Sequence, residues 1–340
     1  MKIGSFDLDK DGVFVIAELS ANHAGSLQVA KESIAAAKKA GANAIKLQTY
    51  TPDWLTIKVD KEEFMANHLW SGEYLYDLYE QAMLPLEWHG ALFKYAKELG
   101  LEIFSSPFSK EAVDFLEQFE PVAYKIASFE LTDYELIRYT ASTKKPIIIS
   151  TGIATKEEIA EVVKICKNAG NEEIVLLKCT SSYPALLEDA NLKTMTDMQK
   201  EFGVEVGFSD HTMGIVAPVV ATSLGAKIVE KHFILNKELP SADREFSLNP
   251  QEFKAMVDAV RDTEKLLGRV EYVPNEGNRS YARSLYVVED VKKGEVLTQE
   301  NIRSIRPGYG LHPKYLPEIL GKKFTKSLTK GTRVAWDLIQ

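Results

Sequence analysis

Cysteine is nearly missing from this sequence. Cys166 and Cys179 are the only two in 340 residues. One lies in a helix-like segment and the other in a strand-like one, with no CxxC spacing and no further cysteine to build a zinc site. Both read as buried thiols rather than catalytic ones. A basic excess is missing too. The formal net charge of -8 argues against a general nucleic-acid binder, which would carry a basic face, yet leaves room for a few lysines around a small anion. No apolar run approaches a membrane span: the least polar stretch, IVAPVVATSLGA, is far too short, and the opening MKIGSFDLDKDG has neither an apolar core nor a cleavage-type ending. The expectation is a cytoplasmic protein with no membrane partner. No GxGxxG follows the first β-like run, which weighs against an open doubly wound sheet.

What is present is an alternation. Short β-rich runs occur at 13–20, 43–50, 102–108, 123–128, 146–151, 174–181, 205–211 and 227–235. Between them lie longer segments with apolar residues at helical spacing and glycine at several ends, such as SLQVAKESIAAAKKAG and TKEEIAEVVKICKNAG. Thr155 with Glu158, and Thr132 with Glu135, have capping-box spacing and predict helix starts. Eight such units in roughly 250 residues have the size and rhythm of a (β/α)8 TIM barrel.

In such barrels ligand chemistry gathers at the C-terminal ends of the strands. Nearly every run here turns polar at that end: Glu18; Lys46 and Gln48; Ser105 and Ser106; Lys125, Ser128 and Glu130; Ser150 and Thr151; Thr180 and Ser181; Ser209, Asp210 and His211; Glu230 and His232. Lys46 and Lys125 interrupt otherwise apolar strands. With hydroxyls at Ser106, Ser128, Ser150 and Ser209 they would suit a phosphate or a phosphorylated carboxylic acid. The alternative for each lysine is an internal salt bridge to Glu18, Glu130 or Glu230.

The last run, KIVEKHFIL, sets three ionisable residues side by side. Period-2 alternation puts Glu230 and His232 on one face and Lys231 on the other, where it needs a structural partner. His211 and His232 end adjacent strands, so their imidazoles can converge on a divalent ion such as Mn²⁺, Co²⁺, Zn²⁺ or Mg²⁺. Two hydrogen-bonded core histidines are the other reading. His23, in SANHAGS, is either loop structure or a substrate contact; His68, His89 and His312 read as ordinary polar residues.

Taken in order, IAELSANHAGSL, AIKLQTY, FSSPF, AYKIASFE, IISTG, KCTSSYP, GFSDHT, EKHF and ARSLYVVEDVKKGEVLTQENIRSIRPGYGLHP resemble the sialic acid synthase (nonulosonic acid synthase) family over essentially the full length. These enzymes condense phosphoenolpyruvate with an N-acetylated sugar. ELSANHAGS and RSIRPGYGLHPKY are similar to the pseudaminic acid branch rather than the N-acetylneuraminic acid one. The resemblance implies that Lys46, Ser106, Lys125, Ser128, Ser150 and Ser209 hold phosphoenolpyruvate and that His211 and His232 bind the metal, with Mn²⁺, Co²⁺ or Mg²⁺ as the cation. It further implies that Glu18, Gln48, Phe108, Tyr183 and Asp243 face the acceptor sugar or the reacting centre. Ser181 departs from the N-acetylneuraminic acid enzymes, which have asparagine in that motif. Glu18 and Glu130 are the candidates for moving protons, with His232 beside them.

The expected organisation is a catalytic barrel over 1–268, a polar linker over 269–281 and a small unit over 282–340 with β-like runs ARSLYVV and TRVAWDLI. This last unit resembles the family's antifreeze-like (SAF, β-clip) domain. The resemblance implies a domain-swapped homodimer in which Arg306 reaches the partner's acceptor sugar; from the residues alone, Arg306 is a surface turn arginine before Pro307. A catalytically silent carbohydrate-binding protein is the alternative of a different class, and N-acetylneuraminic or legionaminic acid synthesis the alternative within the family.

Overall fold

The computed structural model describes residues 1–66 and 71–340, which leaves His68 outside the described residues. A short antiparallel hairpin, β1 (Lys2–Ile3) and β2 (Phe6–Asp7), comes first. Eight parallel strands follow: β3 (Phe14–Glu18), β4 (Ala44–Thr49), β5 (Glu102–Pro107), β6 (Tyr124–Ile126), β7 (Ile147–Ser150), β8 (Ile174–Cys179), β9 (Glu205–Asp210) and β10 (Ile228–His232). They close into a barrel in chain order, with β10 pairing back onto β3. Each of the eight β-rich runs of the sequence supplies one strand.

These strands are buried on both faces, the inner by side chains and the outer by helices, which is why they read as apolar runs without a solvent face. Parity separates the two layers. Val15, Ala17, Ile45, Leu47, Ile103, Ile147, Ile149, Leu176 and Val229 pack outward with helix residues such as Ile34, Leu92, Val162 and Phe253. Phe14, Ile16, Ala44, Phe104, Ala123, Ile148, Val175, Leu177 and Ile228 form a separate cluster with Ile3 and Leu8, so the hairpin region packs with the barrel's interior residues. Gly207 shares the inward parity and has no room for a side chain: a Cβ there would run into the Ile228 carbonyl and Leu177.

Helix starts follow local chemistry. Thr155 and Glu158 make a complete capping box for Lys156–Asn168, and Asn249 with Glu252 does the same for Pro250–Leu267. Thr132 does not cap the helix Tyr134–Ser142. Its N-cap is Asp133, whose carboxylate accepts from the Leu136 N–H at 3.0 Å. Aspartate is an equally good or better cap than threonine and stands one residue further on, so it displaces the predicted box. Among the described residues no helix is long and apolar enough to cross a membrane.

By contacts the chain divides at Gly268 into Met1–Gly268 and Arg269–Gln340. In the second unit residues 269–279 are exposed and include one short helix, Glu276–Arg279. Beyond them β11 (Ser284–Val287) pairs antiparallel with β12 (Ile302–Ile305) over a small core of Leu285, Val287, Val291, Leu297, Ile302, Ile319, Phe324 and Val334. TRVAWDLI forms isolated bridges at Arg333 and Ile339 around a 3-10 turn at Trp336–Leu338, not a strand.

Candidate active site

The inward parity that is apolar in the lower barrel becomes polar one step towards the strands' C-terminal ends. Glu18 follows Ile16, Lys46 follows Ala44, Ser106 follows Phe104, Lys125 follows Ala123, Ser150 follows Ile148, Ser209 follows Gly207, and Glu230 and His232 follow Ile228. The strand registers put Glu18 opposite Lys46, Gln48 opposite Ser106 and Glu230 opposite Ser209. All of these except Gln48, which is half-buried, are shut away from water.

At the centre, two ammoniums alternate with two carboxylates. Lys46 Nζ lies 3.0 Å from Glu18 Oε2 and 3.4 Å from Glu230 Oε2, and Lys125 Nζ lies 3.9 Å from Glu230 Oε1. Lys125 also donates to Ser150 Oγ at 2.7 Å and to the Ile126 carbonyl at 3.0 Å, while Ser209 Oγ donates to Glu230 Oε1 at 2.9 Å. The internal salt bridges weighed for the two lysines are therefore present. Each ammonium offers several donors, so a salt bridge leaves capacity for an anion.

This network splits the ionisation of its carboxyls. Burial raises Glu18, against the pull of Lys46. Burial acts on Glu230 in the same direction, but Lys125, Lys46 and the Ser209 hydroxyl together outweigh it and hold the group down at about 2. Lys46 stays above its ordinary value because Glu18 and Glu230 overcome its desolvation, whereas Lys125, desolvated with less compensation, drops to about 8. Burial lifts Glu130 to about 7, opposed by Lys125, and its Oε2 has no hydrogen-bond partner. Ser106 Oγ is buried without a partner as well. An unengaged hydroxyl in this layer is the kind of group a ligand satisfies.

Next to the charged layer stand His211 and His232, with ring centres 5.3 Å apart. His211 Nδ1 lies 3.0 Å from the Thr180 carbonyl, and burial lowers its pKa. A carbonyl can only accept, so Nδ1 carries a proton, and in the neutral ring that burial favours the Nε2 lone pair is free. His232 Nδ1 lies 3.5 Å from Asp243 Oδ2. Burial would raise Asp243, but contacts from His232, Ser20 and the Ala21 backbone hold it below its ordinary value. His211 thus has the outer support usual for a metal ligand, while His232 Nδ1 faces the Asp243 carboxylate without completing a hydrogen bond. Among the described residues no group of three or more His, Cys, Asp or Glu could hold an ion by itself. His211 and His232 could supply two ligands to a divalent ion, its other positions left to solvent and substrate.

Aromatic rings flank the site. Tyr183 packs on His211 at 4.4 Å and Phe246 on His232 at 4.8 Å between ring centres. Phe108 meets Tyr50 at 5.3 Å, and Tyr50 meets Tyr79 at 5.9 Å. Gln48 donates to Glu18 Oε1 at 3.1 Å, and Ser181 Oγ to Ser128 Oγ at 2.8 Å.

Four of the polar strand ends belong elsewhere. Ser105, Thr151, Thr180 and Asp210 have the opposite parity or have left the strand. Ser105 bonds Thr49, which bonds His89; Thr151 donates to the Leu177 carbonyl; Thr180 donates to the Asp189 carbonyl; and Asp210 pairs with Lys231, the structural partner that lysine required. Period-2 pleating means that a pair of adjacent polar residues cannot both face inward. His89 is likewise no ordinary surface residue: it is wholly buried, bonds Thr49 at 2.8 Å, and is held neutral by burial, down to about 4. His23 is buried loop structure, accepting from the Gly25 N–H and lying 3.3 Å from the Ala82 carbonyl. Arg306 is exposed, just beyond β12.

Three contributors escaped the strand-by-strand reading. Asn22 is wholly buried and ties the loop after β3 to the Phe233 carbonyl and to Ser247. Phe246 reaches the histidines from a loop far beyond any strand end. Gly152 leaves room for Ser128 and Ser181 to meet, since a Cβ there would collide with both hydroxyls. Gly152, in IISTG, and Asn22, in IAELSANHAGSL, stood in quoted motifs; Phe246 did not.

Comparison with known proteins agrees with this geometry. Residues 33–272 match the NeuB family and residues 282–340 match the SAF domain. The chain is 54% identical over 335 residues, 97% of each sequence, to a pseudaminic acid synthase of Campylobacter jejuni. It is 48% identical to one from Helicobacter pylori, covering 96% of this chain and 97% of that one. A crystal structure of the spore coat polysaccharide biosynthesis protein SpsE of Bacillus subtilis superposes with a TM-score of 0.69 at 32% identity, covering 100% of this chain and 99% of that one. The chain belongs to the NeuB family and carries a SAF domain at its C-terminal end.

Proposed function

We propose that this chain is a pseudaminic acid synthase, which joins phosphoenolpyruvate to 2,4-diacetamido-2,4,6-trideoxy-altropyranose in its open-chain form and releases phosphate. Relatives bearing that function at 54% and 48% identity support the reading. The structural observation that carries it is the buried group in which Lys46, Lys125, Ser106, Ser150 and Ser209 stand with His211, His232 and the carboxyls of Glu18, Glu230 and Asp243.

In this reading Lys46 and Lys125 hold the phosphate and carboxylate of phosphoenolpyruvate, with the unengaged Ser106 hydroxyl and Ser128, Ser150 and Ser209 adding hydrogen bonds. His211 and His232 would hold a divalent cation (Mn²⁺, Co²⁺ or Mg²⁺), which when bound supplies Lewis-acid polarisation of the acceptor's aldehyde oxygen. Gln48, Phe108, Ser181, Tyr183 and Asp243 orient the sugar chain over the enol carbon. That carbon attacks the aldehyde, water adds at the former enol C2, and phosphate leaves by C–O cleavage. The aldehyde oxygen must gain one proton, the adding water must lose one, and the C2 hydroxyl so formed passes its remaining proton to the departing phosphate as the carbonyl forms. Glu130 suits the first two transfers: its carboxyl sits at about 7, and Oε2 is uncommitted. Glu18 is less free, held by Lys46 and Gln48. The proposal extends to a cytoplasmic, domain-swapped homodimer in which Arg306 contacts the acceptor's N-acyl group in the partner's barrel.

The test is direct. The chain is offered phosphoenolpyruvate with several diacetamido hexoses, phosphate is measured, and the product is identified by mass and NMR. The altro-configured trideoxy sugar should give pseudaminic acid. A legionaminic or N-acetylneuraminic product would move the chain to another branch, and no phosphate from any acceptor would leave only a carbohydrate-binding role.

A further inference from the structure

Behind the two histidines, on the outer face of the same strands, lies an ion pair that the chemistry above leaves unused. Lys231 and Asp210 stand opposite each other in the β9–β10 register, and both side chains have 0% exposure. Lys231 Nζ bonds Asp210 Oδ2 and also the Thr212 carbonyl. The other carboxylate oxygen, Asp210 Oδ1, accepts from the Thr212 N–H at 2.8 Å. This is an Asx turn with His211 at its centre. Both residues flanking His211 are thus tied to one ammonium, and that ammonium belongs to the residue immediately before His232.

We propose that Lys231 and Asp210 are positioning residues that set the separation and ring orientation of His211 and His232. The proposal rests on the reading of those histidines as metal ligands. A buried ion pair is a poor device for stability, since a well-packed apolar pair of similar volume often serves as well or better. Its particular yield here is geometric. The β9–β10 ladder ends at Asp210 and Lys231, and beyond it the His211 carbonyl accepts from the Ala185 N–H at 2.9 Å, next to an isolated bridge between Ala185 and Thr212. His211 lies one residue past the end of β9, where one backbone bond to Ala185 holds its main chain and the Asx turn and the lysine add side-chain restraint on both of its neighbours. Alternation does the rest: residues facing outward at 210 and 231 leave 211 and 232 facing inward.

The test compares wild type with the double variant Asp210→Asn/Lys231→Met. Asparagine keeps an acceptor for the Thr212 N–H, while methionine keeps bulk but cuts the link to Thr212, and no unpaired charge remains. Metal-stripped proteins are titrated with Co²⁺ while the visible absorption bands are recorded, and the metal-free histidine ring signals, from six histidines in the chain, are followed by ¹⁵N NMR. The double variant should fold, bind Co²⁺ about tenfold more weakly, within the range for outer-shell partners of metal ligands, and show altered Co²⁺ bands and shifted ring signals for two histidines in the metal-free state. Lys231→Gln, which can still donate to both oxygens, should lie closer to wild type in all three. It also serves as the reporter if the double variant does not fold: Lys231→Gln must then retain Co²⁺ affinity within about threefold and unshifted ring signals, and a tenfold loss overturns the proposal. Wild-type affinity, bands and ring signals in a folded double variant also overturn it. His211→Ala is titrated alongside. If it binds Co²⁺ as well as wild type, the metal reading fails; if it loses Co²⁺ while the double variant does not, only the positioning role fails.

Discussion

Lys46 lies 3.0 Å from Glu18 in a layer where their side chains are 4% and 0% exposed. The same ammonium is 3.4 Å from Glu230. One cation therefore faces two buried carboxylates, and removing it leaves Glu18 without an ammonium while Glu230 keeps Lys125 at 3.9 Å and Ser209. Lys46→Met should destabilise the fold by roughly 3 to 5 kcal/mol, the usual cost of breaking a buried pair from one side. Adding Glu18→Gln should recover part of that loss in a denaturant titration. No recovery would mean that Glu18 is not the carboxylate left uncompensated.

The companion substitution separates ligand binding from internal pairing. Lys125→Met removes a charge whose nearest contacts are Ser150 and the Ile126 carbonyl, with Glu230 further off. If Lys125 holds phosphoenolpyruvate, its KM for that substrate should rise by about tenfold or more while the KM for sugar changes little. Unchanged phosphoenolpyruvate dependence in both lysine variants would reduce the lysines to salt-bridge partners.

Glu130 makes a pH prediction of definite sign. Its carboxyl rises from an ordinary 4.5 to about 7 through burial. Between those values the folded chain keeps a proton that the unfolded chain releases. The group's contribution to stability is therefore complete below the lower value and is lost as pH climbs through the higher one. Glu130→Gln should flatten the stability profile over that window and make the protein relatively more stable at pH 8. The effect should be on the order of 1 to 3 kcal/mol, since part of the residue meets solvent. If Glu130 also moves protons, the same variant loses the limb near 7 in the pH profile of kcat. A profile that keeps this limb would assign the proton transfer to another group, Glu18 first.

The barrel was legible because each strand is buried on both faces and so leaves an unbroken apolar run, and the polar ends were legible because charge inside such runs is costly. Parity decided the rest. Taken as a set, the strand ends put Ser105 and Asp210 in the ring, whereas the pleat turns them towards Thr49 and Lys231. For KIVEKHFIL the same rule set Glu230 and His232 on one face and Lys231 on the other, and the family resemblance, with His232 as a metal ligand, turned the first face towards the site. What stayed hidden came from loops. Phe246 reaches His232 and Asn22 reaches Ser247 across long sequence separations that no local period encodes. The missed helix cap shows the same limit at short range: Thr132 and Asp133 are both good caps, and spacing alone does not choose between them.

The histidine pair predicts a metal requirement. Chelator-treated protein should lose activity and regain it with Mn²⁺ or Co²⁺. His211→Ala and His232→Ala should stay inactive at ordinary metal concentrations, since each removes half of the protein's ligand set. Asp243→Asn should act more mildly. It leaves His232 Nδ1 facing an uncharged side chain, and losing such an outer partner costs roughly 10- to 100-fold in metal affinity. Full activity of either alanine variant without added metal would remove the ion from the reaction.

Arg306 offers the sharpest test of the proposed dimer, because its two readings predict opposite results. The side chain is exposed beside Pro307. As a solvated turn arginine it contributes within about 0.5 kcal/mol, and Arg306→Ala would be silent. As a donor to the acceptor's N-acyl oxygen in a partner barrel, it supplies a charged hydrogen bond worth roughly 1.5 to 3 kcal/mol. Its loss should then raise the sugar KM by about 10- to 100-fold, with folding and phosphoenolpyruvate binding intact. The trans arrangement adds a complementation test. Arg306→Ala subunits mixed with Lys125→Met subunits form some dimers with one site carrying both defects and the other carrying neither, so co-expression or subunit exchange should restore turnover at low substrate concentrations, where each variant alone is slow. A sugar-specific defect without any recovery in verified heterodimers would keep Arg306 at the acceptor but place it in its own chain's barrel.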